Sequence, residues 1–177
     1  MPRTFTIAPL QPEEIRPAFA LIRAAWPEVT LPAWRRFAAG ATRAARTGAK
    51  ARRGLIAARA ETGAIVGLYA YSVDRDPALG AVLRVDHLIA LDLVDRAAVT
   101  EALLGSLDSL AAALGCDAIR TILRARQDGL TSRFFAAGHR VSGLVLARPT
   151  GPSHSTEEYP HVPDIARTDG RDPSRRA

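Results

Sequence analysis

The chain has 177 residues, enough for one domain with a core of its own, and 47% of them are apolar. Its one cysteine, Cys116, excludes an internal disulfide, and no clustering of Cys or His has metal-ligand spacing, so no metal site is expected. Neither a secretory-type apolar run at the N-terminus nor a stretch approaching ~18 apolar residues is seen, so a cytoplasmic protein with no membrane partner is expected.

The net charge is +6, and Lys50 is the one lysine among 24 basic residues. Arg35, Arg36, Arg43, Arg46, Lys50, Arg52, Arg53 and Arg59 share the interval between Glu28 and Glu61, which holds no acid. Such a patch can attract nucleic acid, an acidic partner or the phosphates of a nucleotide cofactor. No aromatic stacking motif or recognition-helix motif accompanies it, so a solvated helix face is expected rather than nucleic-acid binding.

Residues 5–10 alternate weakly, as a first strand does. Pro12, Glu13 and Glu14 then suit the first turn of a helix, where free N–H groups and the dipole favour proline and acids. A helix over residues 12–26 would align Ile15, Phe19 and Ile22, with Trp26 next along the face. Pro27 stops it. A second helix starts at residues 30–32, turns Trp34, Phe37, Ala38 and Ala41 inward, and ends at Gly48. The period then changes to that of strands at 55–60 and 65–73, joined by a turn at Glu61-Thr62-Gly63-Ala64. Residues 74–80 read as a loop and 81–91 as a central strand. Val99, Leu103, Leu107, Leu110 and Leu114 recur at helical spacing and predict a helix over 96–114, closed by Gly115. A strand at 118–123, a short helix at 131–137 ending at Gly138, and a last strand at 141–148 complete the pattern. Residues 149–177, rich in Pro, Ser, Thr, Gly, Asp and Arg, form no periodic apolar face and are expected to be a disordered tail after a 1–148 domain.

The order β-α-α-β-β-β-α-β-α-β implies an α/β fold, a mixed central sheet with helices on both faces. One strand carries His87, whose imidazole titrates near neutrality and can accept a proton from an attacking ammonium, although a hydrogen-bonded structural role is the commoner one for a lone histidine. On a regular strand His87 shares a face with Val85, Ile89 and Leu91, and Asp86 points the other way. The helix beginning at Arg96 offers free N–H groups to an anion.

In this order and spacing the chain resembles the GNAT acetyltransferase superfamily over residues 4–148. The strand from Leu83 to Leu91 resembles the family's fourth strand. Arg96-Ala97-Ala98-Val99-Thr100-Glu101 stands where that family carries its pyrophosphate-binding turn, Arg/Gln-x-x-Gly-x-Gly/Ala. The segment from Gln127 through Phe134-Phe135-Ala136-Ala137-Gly138-His139 resembles its amide residue, tyrosine-bearing helix and Gly-Phe turn. The resemblance implies an acetyl-CoA-dependent N-acetyltransferase that transfers directly to an amine, on a small molecule or a protein. It implies His87 as the base and backbone contacts near Ile89 and Leu91 to the pantetheine. Residues 96–101 would meet the pyrophosphate and Gln127 the coenzyme. Val99 and Glu101 stand where the family has small residues, and Phe134 where it has the tyrosine that protonates the leaving thiolate. These departures leave a catalytically inactive binding or regulatory module as the alternative. Oligomeric state is open, a homodimer being one option.

Overall fold

The computed structural model describes residues 4–46, 51–91, 96–123, 128–143 and 145–146. Five strands form one sheet in the order β1-β2-β3-β4-β5: β1 Thr6–Pro9, β2 Arg53–Arg59, β3 Ile65–Asp76, β4 Gly80–Ala90 and β5 Ala118–Thr121. The first three pairings are antiparallel and β4–β5 is parallel. The parallel pair is reached through α3, Arg96–Leu114, the crossover that such a pair requires. The helices divide between the faces as the mixed-sheet reading expects. Leu21, Ile22, Trp34 and Ala38, from α1 (Phe19–Ala25) and α2 (Leu31–Arg46), pack with Leu55, Leu68 and Ile89. Val99, Leu103 and Leu107 of α3, with Leu130 and Phe134 of α4 (Asp128–Ala136), pack with Leu83, Val85, Leu88 and Ala90 on the other face.

Several boundaries differ from the sequence reading. The first helix is broken into a 3-10 turn at Pro12–Glu14 and the short α1. Pro17 lies between them; it lacks an N–H and disfavours helical geometry at the residue before it. The 74–80 loop contracts to a tight turn. The hairpin strands run on through Asp76 and Gly80, because the Asp76 carboxylate accepts the N–H groups of Ala78 and Leu79 at 2.9 and 3.1 Å and Gly80 takes φ +73°. In contrast, α3 spans the expected residues. Its Ala97–Leu114 stretch has hydropathy 1.4, long and apolar enough to cross a membrane by length and composition, a property the sequence reading missed. Val99, Leu103, Leu107 and Ala111 give it a buried stripe against the sheet, as in the core helix of a globular domain.

The expected last strand is not formed in its described residues, 141–143 and 145–146. The Val-Ser-Gly-Leu-Val-Leu pattern suits a strand, but no ladder partner pairs with these residues, and Val141, Val145 and Leu146 are exposed. The chain divides into two units, Met1–Val141 and Ser142–Ala177. The first contains every strand and helix of the described residues; the described residues of the second have neither. The expected end of the second helix at Gly48 and the tail at 149–177 lie outside the described residues.

One ion pair ties the start of the sheet together. Arg59 Nε donates to Glu14 Oε1 at 2.6 Å, and its Nη2 donates to the Pro9 carbonyl at 3.1 Å. The hydrogen bond from Arg59 holds the Glu14 carboxyl below its usual 4.5. A group with a depressed folded pKa stabilises above its unfolded value, and that contribution disappears as pH falls through the folded one. Glu14→Gln should therefore cost about 1 kcal/mol near neutrality, the upper range for a partly exposed pair. The gap in melting temperature between wild type and variant should close below about pH 4.5. Thermal denaturation across that range checks it.

Candidate functional site

The site is built where β4 departs from a regular strand. Leu68 pairs with Ile89 and Ala70 with Asp86, so Tyr69 of β3 faces two residues, His87 and Leu88. This is a β-bulge, and His87 absorbs it at φ +54°, the one non-glycine residue with positive φ among the described residues. The left-handed region is uncommon for a side-chain-bearing residue, and such outliers concentrate at functional sites.

The bulge changes the parity of the strand. Leu83 and Val85 lie in the cluster on the α3 face, and so do Leu88 and Ala90, while Ile89 joins the α1–α2 face. The expectation that Val85 and His87 share a face is thus corrected. The His87 ring, exposed, meets Trp26 at the end of α1 and Phe37 of α2 edge-on, at centroid separations of 5.3 and 5.5 Å. Phe37, expected in the core, is 44% exposed and forms part of this aromatic surround.

From the bulge onward, no strand among the described residues pairs with β4 on its β5 edge. Its pairing with β5 ends at Val85–Thr121, extended by the Ile122 N–H donating to the Val85 carbonyl at 2.9 Å. From Asp86 onward no β5 pairing continues. On the other edge the Leu91 N–H donates to the Val66 carbonyl at 2.9 Å. That amide is committed to β3, and so by strand alternation is that of Ile89. The Ala90 N–H is the one turned toward the open edge. Near Ile89 and Leu91, where the resemblance implies contacts to the pantetheine, the backbone amide facing away from β3 is that of Ala90. Ile89 is buried and Leu91 exposed.

Next along the chain, α3 begins at Arg96 with no acid in its first described turn. Ala97 and Ala98 are half-buried and Thr100 buried. Val99 is fully buried in the core. An added Cβ on Gly67 of β3 would lie 2.9 Å from Val99 Cγ1 and Leu103 Cδ1, so the missing side chain lets α3 sit close to the sheet. The isopropyl group of Val99 thus points away from any anion at the helix start. Glu101 is exposed and its carboxylate pairs with Arg133 of α4. Of the two departures in the turn, one is turned inward and the other is partnered. Residues 92–95 and Gln127 lie outside the described residues.

Two further groups carry no sequence signal. Thr121 Oγ1 and His139 Nε2 are buried and have no hydrogen-bond partner, a costly state for polar atoms. Thr121 closes the β4–β5 pairing. His139 follows α4, where Gly138 at φ +86° ends the helix and the His139 N–H donates to the Phe134 carbonyl at 2.9 Å. That turn folds the His139 ring edge-on against Phe134, with centroids 4.8 Å apart. No group of His, Cys, Asp and Glu fit to hold a metal occurs among the described residues. A separate groove of about 650 Å³, lined by Arg16, Pro17, Phe19, Ala20, Arg23, Ala24 and Leu31, does not include His87.

No family model matches the sequence. No curated protein matches it either. Solved structures do match in three dimensions. The aminoglycoside 6'-N-acetyltransferase AAC(6')-Ih of Acinetobacter baumannii superposes with TM-score 0.66 at 14% identity, over 85% of this chain and 100% of that one. AAC(6')-Iy, solved in complex with CoA, gives 0.67 at 14% identity over 84% and 97%. The ribosomal-protein-alanine N-acetyltransferase of Brucella melitensis gives 0.66 at 12% identity over 84% and 100%. At such identities the likeness is one of architecture, and it agrees with the mixed five-stranded sheet flanked by helices: the chain has the GNAT acetyltransferase fold.

Proposed function

We propose that the protein is an acetyl-CoA-dependent N-acetyltransferase acting on an amine by direct transfer. The observation that carries the reading is the open edge of β4 beyond Val85–Thr121, with His87 on one side of the strand and the start of α3 beyond its end. The residues present suit an acyl-CoA substrate. The Ala90 amide turns to the open edge, and the Thr121 hydroxyl at the last β4–β5 pair needs a polar partner. The first turn of α3, residues 96–100, carries no acid that would repel a pyrophosphate.

In this reading His87 takes a proton from the attacking amine nitrogen as the carbon–nitrogen bond forms. Trp26 and Phe37 meet the imidazole edge-on from two sides and hold its orientation, while the exposed ring stays open to the amine. The Ala90 N–H, fixed by the strand, stabilises negative charge developing on the carbonyl oxygen. Arg96 and the amides after it neutralise the pyrophosphate. Acceptors are amines on small molecules or proteins, as the names of the structural neighbours indicate for those enzymes. The alternative, a non-catalytic binding or regulatory module, keeps one specific observation in its favour: Phe134 has no hydroxyl.

Calorimetric titration with acetyl-CoA tests the reading. Arg96→Ala should weaken binding by about 1.5–3 kcal/mol, the range for a hydrogen bond to a charged group. Equal affinities in wild type and variant would remove the pyrophosphate from the start of α3.

A further inference from the structure

The groove on the outer side of α1 has no task in the reaction as described so far. Its volume is about 650 Å³, and Arg16, Phe19, Ala20, Arg23, Ala24 and Leu31 are among its lining residues. Leu21 and Ile22 turn the opposite side of α1 into the core. Phe19 and Leu31 are half-buried and give the groove an apolar floor, while Ala20 and Ala24 are too short to fill it. The chain is already wound at Arg16: the Ala18 N–H donates to the Glu14 carbonyl at 2.9 Å and the Phe19 N–H to that of Arg16 at 3.1 Å. Seven residues along such a path are two turns, so Arg16 and Arg23 share a face about 10 Å apart. Both are exposed, neither guanidinium has a partner among the described residues, and no acid lines the groove. Arg35, one turn along α2 from Leu31, is exposed too and extends the positive surface.

We propose that this groove binds an acidic peptide segment of a partner protein, two carboxylates of which flank an apolar side chain. An extended chain rises about 3.3 Å per residue, so acids three positions apart stand about 10 Å apart, the spacing of the two arginines. Each guanidinium then meets a carboxylate, a geometry its planar fork suits. The apolar side chain between the acids rests on Phe19 and Leu31. Charge thereby sets the register of the peptide, and apolar contact adds to its affinity. Nucleic acid fits the groove less well. A phosphate backbone has no apolar side chain between its charges, and base stacking needs an open aromatic face, whereas Phe19 is half-buried. Arg35 gives part of the acid-free, arginine-rich interval the same task. The groove does not include His87, so the inference stands apart from the transferase reading.

Fluorescence anisotropy with labelled synthetic probes tests it. The probes are the peptide Gly-Ser-Glu-Leu-Ala-Glu-Ser-Gly, a neutral version with Gln for both Glu, a basic version with Lys for both, and a single-stranded oligothymidylate of similar length. Wild type should bind the acidic peptide, more weakly as salt rises, and the neutral and basic peptides at least about tenfold more weakly. Arg16→Glu combined with Arg23→Glu should weaken the acidic peptide about 25-fold, about fivefold for each exposed pair, and should gain binding of the basic one. Both side chains are exposed, so its melting temperature should match wild type. Should it melt early, Arg16→Gln with Arg23→Gln removes the charge alone and should weaken the acidic peptide in the same direction. Unchanged affinity in the variants, equal binding of the neutral peptide, or no binding of the acidic peptide by wild type at millimolar concentration would overturn the inference. Tighter binding of the oligonucleotide, lost in the same variants, would overturn it in favour of a nucleic-acid surface. Acetyl-CoA binding is untouched by each of these outcomes, so failure here leaves the transferase reading standing.

Discussion

Replacing His87 with glycine is expected to leave the fold intact and to cut turnover by about 100- to 10,000-fold, the usual contribution of a general base. Glycine separates the chemical role from the structural one better than alanine does. His87 sits at φ +54°, where any side chain costs about 1–2 kcal/mol that glycine avoids. Against that relief stands the loss of two edge-on contacts, to Trp26 and Phe37, worth about 0.5–1.5 kcal/mol each. The two effects nearly cancel, so the melting temperature should stay within a few degrees of wild type, and acetyl-CoA affinity should hold. Activity and melting temperature on one preparation decide the matter. Turnover per folded molecule equal to wild type would make His87 a residue of the bulge alone.

Leu103→Ala carries the largest expected loss of stability. Leu103 is fully buried, and its Cδ1 lies over Gly67, where α3 meets β3. Truncating such a leucine costs about 2–5 kcal/mol, the spread depending on how far the cavity collapses. For a domain of this size the melting temperature should fall by about 4–20 °C. Because the same contact seats the first turns of α3, acetyl-CoA affinity should fall as well. Calorimetric scans with and without acetyl-CoA measure both. A melting temperature within a degree of wild type would show that α3 is not held to the sheet at Leu103.

The sequence was most legible where one physical signal ran long. Val99, Leu103, Leu107, Leu110 and Leu114 repeat over a little more than four turns, and the helix they mark has the expected ends. Shorter signals misled. Asp74, Arg75 and Asp76 look like loop residues, yet they pair with Val82, Ala81 and Gly80 because an edge of the hairpin accepts charge. The segment after Gly138 alternates like a strand, but a strand also needs a partner edge, which one sequence does not reveal. The bulge was invisible for a different reason. Glycine usually announces a left-handed residue, and here the position holds His87. The residue was singled out for its imidazole, but its face, its aromatic neighbours and the turning of the Ala90 amide away from β3 all follow from the bulge. Thr121 and His139 became candidates only when the structure left Oγ1 and Nε2 without partners. In the turn after β4, Val99 and Glu101 seemed obstacles because sequence cannot tell an inward side chain or a distant Arg133 partner.

The central claim is that the opening along β4 receives an acyl-CoA. The direct measurement is the melting temperature of the wild-type chain with and without acetyl-CoA. A ligand present at 100 times its dissociation constant adds about 2.7 kcal/mol of stability, which for a domain of this size is a rise of about 5–11 °C. The account predicts such a rise, saturating with ligand and absent with acetate alone. A melting temperature unmoved by millimolar acetyl-CoA would contradict it.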